Sequence, residues 1–132
     1  MFNTLLVEDN VIYRQALCDA LLLHFPLIDI DETGDGVEAL CKVEYRRPDL
    51  IIMDIQLPGA NGLEITKEIK RVYNEIVIVI LTSNGLQEYR QQAYRSGADY
   101  FISKDDDYCM EDILTRVDVA LASLAIPDQK SA

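Results

Sequence analysis

The sequence has few of the residues that form disulfides or bind zinc. Its three cysteines, Cys18, Cys41 and Cys109, are widely spaced, and His24 is the only histidine. A disulfide framework and a zinc site both need more such residues at closer spacing. We therefore expect the cysteines to be small, partly buried apolar residues in a reducing compartment.

Positive charge is scarce as well. The chain has 12 lysines and arginines against 23 aspartates and glutamates, which gives a net charge of −11. Such a surface repels polyanions, so we expect no direct binding to nucleic acid or to an anionic membrane. Long apolar runs are also lacking, because charged residues interrupt positions 1–25 and no other segment could span a bilayer. These absences predict a cytoplasmic protein without a signal peptide.

What the sequence does contain is an alternation of short apolar runs with segments of helical periodicity. The runs lie near residues 4–7, 28–31, 50–53, 76–81 and 100–103. Most are continuous, which is typical of parallel strands covered on both faces. Two helix starts are marked by a capping residue with a glutamate three positions later, Asp35 with Glu38 and Asn61 with Glu64. The pattern predicts a doubly wound α/β sheet with helices on both faces.

The length of 132 residues fits one domain with a single sizeable core. We predict that this domain occupies residues 1–122. Residues 123–132 include Pro127 and a polar end, so we predict a tail or the start of a linker there.

Four polar residues follow apolar runs: Asp9, Asp54, Thr82 and Lys104. The carboxyl ends of parallel strands meet at one edge of a doubly wound sheet, where such sheets bind ligands. We therefore expect these side chains to lie close together, with Glu8 beside Asp9. Mg²⁺ prefers oxygen ligands and needs only one or two carboxylates beside phosphate oxygens. The set predicts a site for a divalent metal and a phosphoryl group.

Asp54 has the most apolar context of any acid in the chain, since it follows Leu-Ile-Ile-Met at 50–53 and precedes Ile55. A buried carboxylate without a partner is costly, so an acid there needs a metal, a cation or a chemical role. Its oxygen could attack phosphorus and form an aspartyl phosphate, with Thr82 and Lys104 at the phosphoryl oxygens. Simpler roles stay open: Asp9 or Thr82 could cap a helix, and Lys104 could be an ordinary exposed lysine.

The motifs around these residues resemble those of bacterial response regulator receiver domains. They are LLVEDN at 5–10, PDLIIMDIQLPG at 48–59 with Gly62, LTS at 81–83, and GAD at 97–99 leading to Lys104. The resemblance covers about residues 4–122. It implies a flavodoxin-like (βα)5 fold, a parallel five-stranded sheet of order 2-1-3-4-5, and a phosphorelay signalling protein rather than an enzyme.

The resemblance also implies how the acidic residues divide their roles. Asp54 would be the phosphoacceptor. Glu8 and Asp9 would be the acidic pair at Mg²⁺, and Asp54 and the main-chain carbonyl of Gln56 would complete the protein ligands. The phosphoryl donor would be a sensor histidine kinase or a histidine phosphotransfer protein.

Three further residues would couple phosphorylation to a change of surface. The resemblance implies that Thr82 is the switch hydroxyl, Lys104 the phosphate-binding lysine and Phe101 the rotating aromatic residue. Phe101 could equally be a fixed aromatic residue of the core. The fourth helix, the last strand and the last helix would form the surface that an effector, an output domain or a second copy of the chain contacts.

One motif departs from the usual pattern of the family. Many receivers have a proline after the conserved lysine, often with a cis peptide bond, whereas Lys104 is followed by three aspartates at 105–107. The variant resembles NarL-type receivers, which are attached to helix-turn-helix output domains. We therefore do not expect a cis peptide after Lys104. The aspartates could bias the lysine, but a solvated loop with a capping aspartate is the simpler interpretation.

Other functions compete with this one. The chain could be the receiver half of a DNA-binding transcription regulator whose output domain follows Ala132. A phosphatase of the haloacid dehalogenase type also uses an aspartyl nucleophile and Mg²⁺, but its nucleophile lies in an Asp-x-Asp motif after the first strand. Here Asp54 follows the third run, and Asp54-Ile55-Gln56 lacks the second acid. A receiver fold that is never phosphorylated is disfavoured, because all the residues needed for the chemistry are present.

Overall fold

Five parallel strands and five helices alternate along the described part of the chain. The computed structural model describes residues 2–83, 87–104 and 110–131. The strands of the main sheet are β1 (Phe2–Val7), β2 (Ile28–Thr33), β3 (Leu50–Met53), β4 (Val77–Thr82) and β5 (Tyr100–Ser103). The helices are α1 (Val11–His24), α2 (Gly36–Arg46), α3 (Gly62–Val72), α4 (Gln87–Arg95) and α5 (Met110–Ser131). As far as the described ranges extend, no helix has the length and apolar character that crossing a membrane requires.

The sheet has the order β2-β1-β3-β4-β5, and all of its neighbouring strands are parallel. This confirms the predicted doubly wound fold and the 2-1-3-4-5 order. The chain moves from β1 to β2 on one side and then crosses to β3 on the other. The order therefore reverses between β1 and β3, which places the expected ligand site beyond the carboxyl ends of those two strands.

The continuous apolar runs arise because both faces of the sheet are covered. Alternate side chains of β3, such as Ile51 and Ile52, belong to two different core clusters. One cluster packs under α2, α3 and α4, and the other packs under α1 and α5. Each fully buried aliphatic side chain of this kind contributes about 1.5–3 kcal/mol relative to an exposed one.

The ends of three strands differ from the sequence-based expectation, and the first difference is that β1 begins at Phe2, two residues earlier. β2 continues to Thr33 and stays in register with β1, although its last residues are polar. Because β2 is an edge strand, its acids can reach cations on α2, and Lys42 and Arg46 pair with Asp31 and Asp29. β4 begins one residue later than expected and includes Thr82, which pairs with Ser103 of β5.

The predicted helix caps are confirmed. The side chain of Asp35 accepts hydrogen bonds from the backbone N–H groups of residues 37 and 38, and that of Asn61 accepts one from Leu63. At α1 the cap is Asn10, whose side-chain oxygen accepts a hydrogen bond from the N–H of Tyr13. The alternative of Asp9 as the cap is therefore wrong, and its carboxylate is available for another role.

The cysteines differ in their surroundings. Cys18 is buried and donates its thiol hydrogen to Glu32 at 3.6 Å, but Cys41 is exposed, so the expectation of burial fails there because Cys41 lies on the solvent face of α2. Cys109 lies outside the described residues. At the other end of the expected domain, α5 continues through residue 122 to Ser131, and the predicted boundary between domain and tail stays a prediction.

The N-terminus of α3 passes very close to the backbone that follows β3. Gly62 donates its N–H to Ile55 O at 2.7 Å, and a Cβ on Gly62 would lie 2.0 Å from the carbonyl oxygen of Asp54. That neighbour is backbone and cannot move aside as the end of a side chain could. A glycine is therefore required directly behind Asp54.

We predict that Gly62→Ala destabilises the protein by about 3 kcal/mol, because the methyl group forces α3 away from the end of β3. Urea unfolding followed by circular dichroism measures the change. Gly59→Ala is the matched control, since Gly59 has a φ of +66° but no atom within 4 Å of a Cβ. It should cost only about 1 kcal/mol from backbone strain. Equal losses in the two variants would contradict the close approach.

Candidate functional site

Two buried carboxylates lie side by side because the backbone pairing of the sheet continues past the strands. Glu8, directly after β1, donates its N–H to Thr33 O at 3.0 Å. Asp54, directly after β3, donates its N–H to Val7 O at 3.0 Å. Glu8 and Asp54 are only 3% and 8% exposed. The sheet thus places two acids in the interior at the point where the strand order reverses.

Asp9 adds a third carboxylate at the surface. Glu8, Asp9 and Asp54 each offer an oxygen atom, and these atoms lie within 4.8 Å of one another. Carboxylate oxygens at this spacing suit a hard divalent cation, which would also relieve their mutual repulsion. The donor set therefore fits the metal that the sequence predicts. Gln56 lies two residues beyond Asp54 in a short strand pair, Gln56–Leu57 with Ala60–Asn61, and the role of its carbonyl stays a prediction.

Lys104 brings a positive charge to the two buried acids. Its backbone N–H donates to Thr82 O at 2.8 Å, which fixes the end of β5 beside the end of β4. Its Nζ lies 2.5 Å from Glu8 Oε1 and 3.7 Å from Asp54 Oδ2. The side chain is only 15% exposed. Lys104 is therefore not the ordinary exposed lysine that the sequence alone left open.

Burial dominates the electrostatics of the site. It raises the pKa of Glu8 above its usual value, and the nearby charge of Asp54 raises it further. The hydrogen bonds from Lys104 and from the backbone of Asn10 act in the opposite direction but are outweighed. The site thus holds two buried carboxyl groups against one ammonium group, and it is short of positive charge.

Thr82 and Phe101 lie on β4 and β5, the two strands that the backbone N–H of Lys104 joins. Thr82 is buried as the last residue of β4. Phe101 is 2% exposed and belongs to the core cluster under α4. The guanidinium carbon of Arg90, on α4, lies 4.8 Å from the centre of the Phe101 ring. Phe101 therefore lies inward and contacts α4, and its predicted rotation stays a prediction.

Comparison with known families identifies the chain. Residues 4–118 match the family model of the response regulator receiver domain, which is most of the sequence. The chain is a response regulator receiver domain. The resemblance seen in its motifs is thereby confirmed, and the receiver is a signalling module of two-component systems.

Individual relatives agree with this assignment. The receiver is similar to the chemotaxis protein CheY of Halobacterium salinarum, with 38% identity over 102 residues that cover 77% of this chain and 83% of that protein. It is 31% identical over 105 residues to the DNA-binding transcriptional activator DevR/DosR of Mycobacterium tuberculosis, covering 80% of this chain. Among solved structures, it is similar to a two-component response regulator of the LuxR family from Aurantimonas sp. SI85-9A1, with a TM-score of 0.83 and 26% identity over 93% of this chain and 86% of that one.

The relatives differ in length. The receiver spans most of the archaeal CheY but only about half of several longer regulators, such as 48% of DevR/DosR. The family therefore occurs both as a nearly free-standing domain and as part of a larger protein.

Two residues on the first turn of α1 contact the site but are not predicted from the sequence. Arg14 donates from Nη1 to Glu8 O at 2.7 Å and pairs with Glu32 at 3.4 Å, so it fixes the backbone beside Glu8. The ring of Tyr13 lies under the ammonium of Lys104, with 4.0 Å between Nζ and the ring centre. Their place in the sequence could have indicated this, because both residues lie in the first turn of the helix that follows the acidic pair.

Some predictions fall on residues that the structure does not describe. The three aspartates at 105–107 and the peptide bond after Lys104 lie outside the described residues. So does the Asn84-Gly85 segment, at which Thr82 could cap a helix.

We predict that Lys104→Met destabilises the metal-free receiver by about 3 kcal/mol at neutral pH, because it leaves two buried carboxylates without their cation. The loss shrinks as the pH falls through the raised pKa of Glu8, since a protonated Glu8 no longer needs a positive partner. Urea unfolding across this pH range measures both effects.

Lys42→Met is the matched control for that measurement. Lys42, on α2, forms a half-exposed ion pair with Asp31 of the edge strand β2. Its loss should cost no more than about 1 kcal/mol. If Lys104→Met lowers the free energy of unfolding no more than Lys42→Met does, or by an amount that does not change with pH, the ammonium does not stabilise these carboxylates.

Proposed function

We propose that the receiver accepts a phosphoryl group from a phosphohistidine onto Asp54. Membership of the family supports a phosphoacceptor role. The observation that carries the choice of residue is the position of Asp54: it is the buried acid that ends β3, within the three-carboxylate cluster and 3.7 Å from Lys104. The sensor histidine kinase or histidine phosphotransfer protein that supplies the group belongs to the proposal.

The two oxygens of Asp54 have different surroundings. Oδ1 accepts a hydrogen bond from the N–H of Ile55 at 2.7 Å, whereas Oδ2 lies on the side of Lys104. We therefore assign the attack on phosphorus to Oδ2. The new O–P bond forms as the P–N bond of the phosphohistidine breaks, and the electron pair of that bond stays on the imidazole.

Positive charge at the site has to be redistributed during this step. Glu8, Asp9, Asp54 and the carbonyl of Gln56 would hold Mg²⁺, which supplies charge neutralisation for the phosphoryl oxygens. With Glu8 as a metal ligand, Lys104 would be free of its ion pair with Glu8. Its flexible stem would then let the ammonium reach a phosphoryl oxygen.

The link from Asp54 to the surface is proposed to pass through β4 and β5. The backbone hydrogen bond from Lys104 N–H to Thr82 O joins these strands at the site. Thr82 would be drawn toward the phosphoryl group, and Phe101 would repack against α4, where Arg90 already covers its ring. The surface of α4, β5 and α5 would then bind an effector, an output domain or a second copy of the chain.

The cellular setting follows from the same role. We infer a cytoplasmic signalling protein that assists its own phosphorylation and dephosphorylation and does not turn over small phosphate esters. A DNA-binding regulator whose receiver is this chain is the second candidate. The observation that favours it is that the chain spans about half of relatives such as the transcriptional activator DevR/DosR. The gene sequence beyond Ala132 distinguishes the two.

We predict that acetyl phosphate with Mg²⁺ adds one phosphoryl group to the wild-type receiver and none to Asp54→Asn, which keeps the shape but removes the nucleophile. Intact mass spectrometry measures the product. Asp19→Asn is the control, because Asp19 is an exposed acid on α1 and should be labelled as the wild type is. Equal labelling of wild type and Asp54→Asn would exclude Asp54 as the acceptor. Steady release of phosphate from a small ester would instead favour a phosphatase.

We also predict that Mg²⁺ raises the thermal unfolding temperature of the wild type, since it binds the folded state alone. Asp9→Asn should weaken Mg²⁺ binding by about tenfold or more, as expected when a carboxylate is lost from a metal site. Isothermal titration calorimetry measures the affinity, with Asp19→Asn again as the unchanged control. Wild-type affinity in Asp9→Asn would remove that residue from the site.

A further inference from the structure

Lys104 contacts one residue that neither the motifs nor the proposed mechanism assign. Its ammonium lies 4.0 Å from the centre of the Tyr13 ring, 2.5 Å from Glu8 Oε1 and 3.7 Å from Asp54 Oδ2. Tyr13 is half-buried, and its ring packs against the core cluster that includes Ile102. The ring is thus a fixed surface beneath a flexible side chain.

A tyrosine ring at this distance attracts an ammonium group through its negative face. In partly desolvated sites this attraction favours the stacked position by about threefold to thirtyfold. Lysine needs such support more than arginine does, because its charge sits at the end of four freely rotating carbons. The ring therefore restricts where the ammonium of Lys104 can be.

The ring differs from the two carboxylates in a way that matters for phosphoryl transfer. Glu8 and Asp54 hold Lys104 by opposite charge, so they compete with a phosphoryl oxygen for the same ammonium. Glu8 would also be a ligand of the metal. Tyr13 is neutral, so it can keep the ammonium in place without lowering its attraction for an anion.

The hydroxyl of Tyr13 does not explain why the residue is there. It is buried, and among the described residues it has no hydrogen-bond partner. Burial and the charges of Glu8 and Asp54 raise the pKa of Tyr13 to about 12, so the phenol stays neutral. An unpaired buried hydroxyl is unfavourable, which leaves the ring as the useful part of the side chain.

We propose that Tyr13 is a positioning residue for Lys104, whose ring holds the ammonium beside Asp54 before and during phosphoryl transfer. The kinetic part of this inference rests on the proposed function of Asp54. The inferred position of the lysine does not rest on that function, and it can be tested on the unphosphorylated protein.

The first experiment measures that position by NMR. The Cε protons of Lys104 should be shifted upfield by the ring in the wild type and in Tyr13→Phe, and the shift should disappear in Tyr13→Leu. This readout needs neither metal nor phosphate. An unchanged Lys104 signal in Tyr13→Leu would overturn the inference, whatever the phosphorylation chemistry proves to be.

The second experiment measures phosphorylation rates with acetyl phosphate and Mg²⁺. Tyr13→Leu should slow the reaction by about threefold to tenfold, which is the range expected for a lost cation–π contact. Tyr13→Phe should restore the rate to within about twofold of the wild type, because it restores the ring. Tyr45→Leu, which changes a highly exposed tyrosine on α2, is the control that should leave the rate unchanged.

A double-mutant cycle separates positioning from packing. In the Lys104→Ala background, Tyr13→Leu should have no further effect on the rate, since the residue acts through the lysine. A further loss as large as in the wild-type background would show that Tyr13 serves only the packing of α1, and it would overturn the inference. If the wild type itself takes no phosphoryl group, the proposed function fails and the NMR result still decides the position of Lys104.

Discussion

The structure depends on one electrostatic constraint, the burial of Glu8 and Asp54 beside a single ammonium group. Their positions follow from backbone hydrogen bonds that continue the sheet beyond β1 and β3. Lys104 reaches them from β5 and lies within 3.7 Å of both carboxylates. Because two carboxyl groups share one positive charge in a desolvated place, loss of the lysine destabilises the arrangement unless Glu8 is protonated or another cation binds. The fold thus places more carboxyl groups than ammonium groups at this edge of the sheet.

The same constraint explains why the lysine can serve a switch. An ammonium that is shared between two carboxylates can shift toward a new anion when one of them is neutralised by a metal. The backbone N–H of Lys104 donates a hydrogen bond to Thr82 O, so the lysine lies at the junction of β4 and β5. Phe101 lies three residues before the lysine and under Arg90 of α4. The chemistry at Asp54 and the outer surface are therefore separated by only a few residues.

Residues next to the acids hold them in this geometry. Gly62 lets α3 approach the carbonyl of Asp54 more closely than any residue with a side chain would. Arg14 donates a hydrogen bond to the carbonyl oxygen of Glu8. Asn10 caps α1, which leaves Asp9 exposed beside the two buried acids. Backbone contacts thus fix the two buried acids, while the third acid stays exposed to solvent.

The sequence by itself determined the alternation of strands and helices, the caps at Asp35 and Asn61, and the polar residues at the strand ends. These depend on near neighbours and on the apolar pattern, so they can be predicted without the rest of the chain. The motif resemblance supplied the strand order, which the pattern alone left open. Only the tertiary structure decided that Asn10 rather than Asp9 caps α1, that Lys104 is buried against Glu8, and that Tyr13 lies beneath it. Tyr13 and Lys104 are 91 positions apart, and the contact between the ring and the ammonium is set by the packing of α1 onto the sheet, not by any local preference.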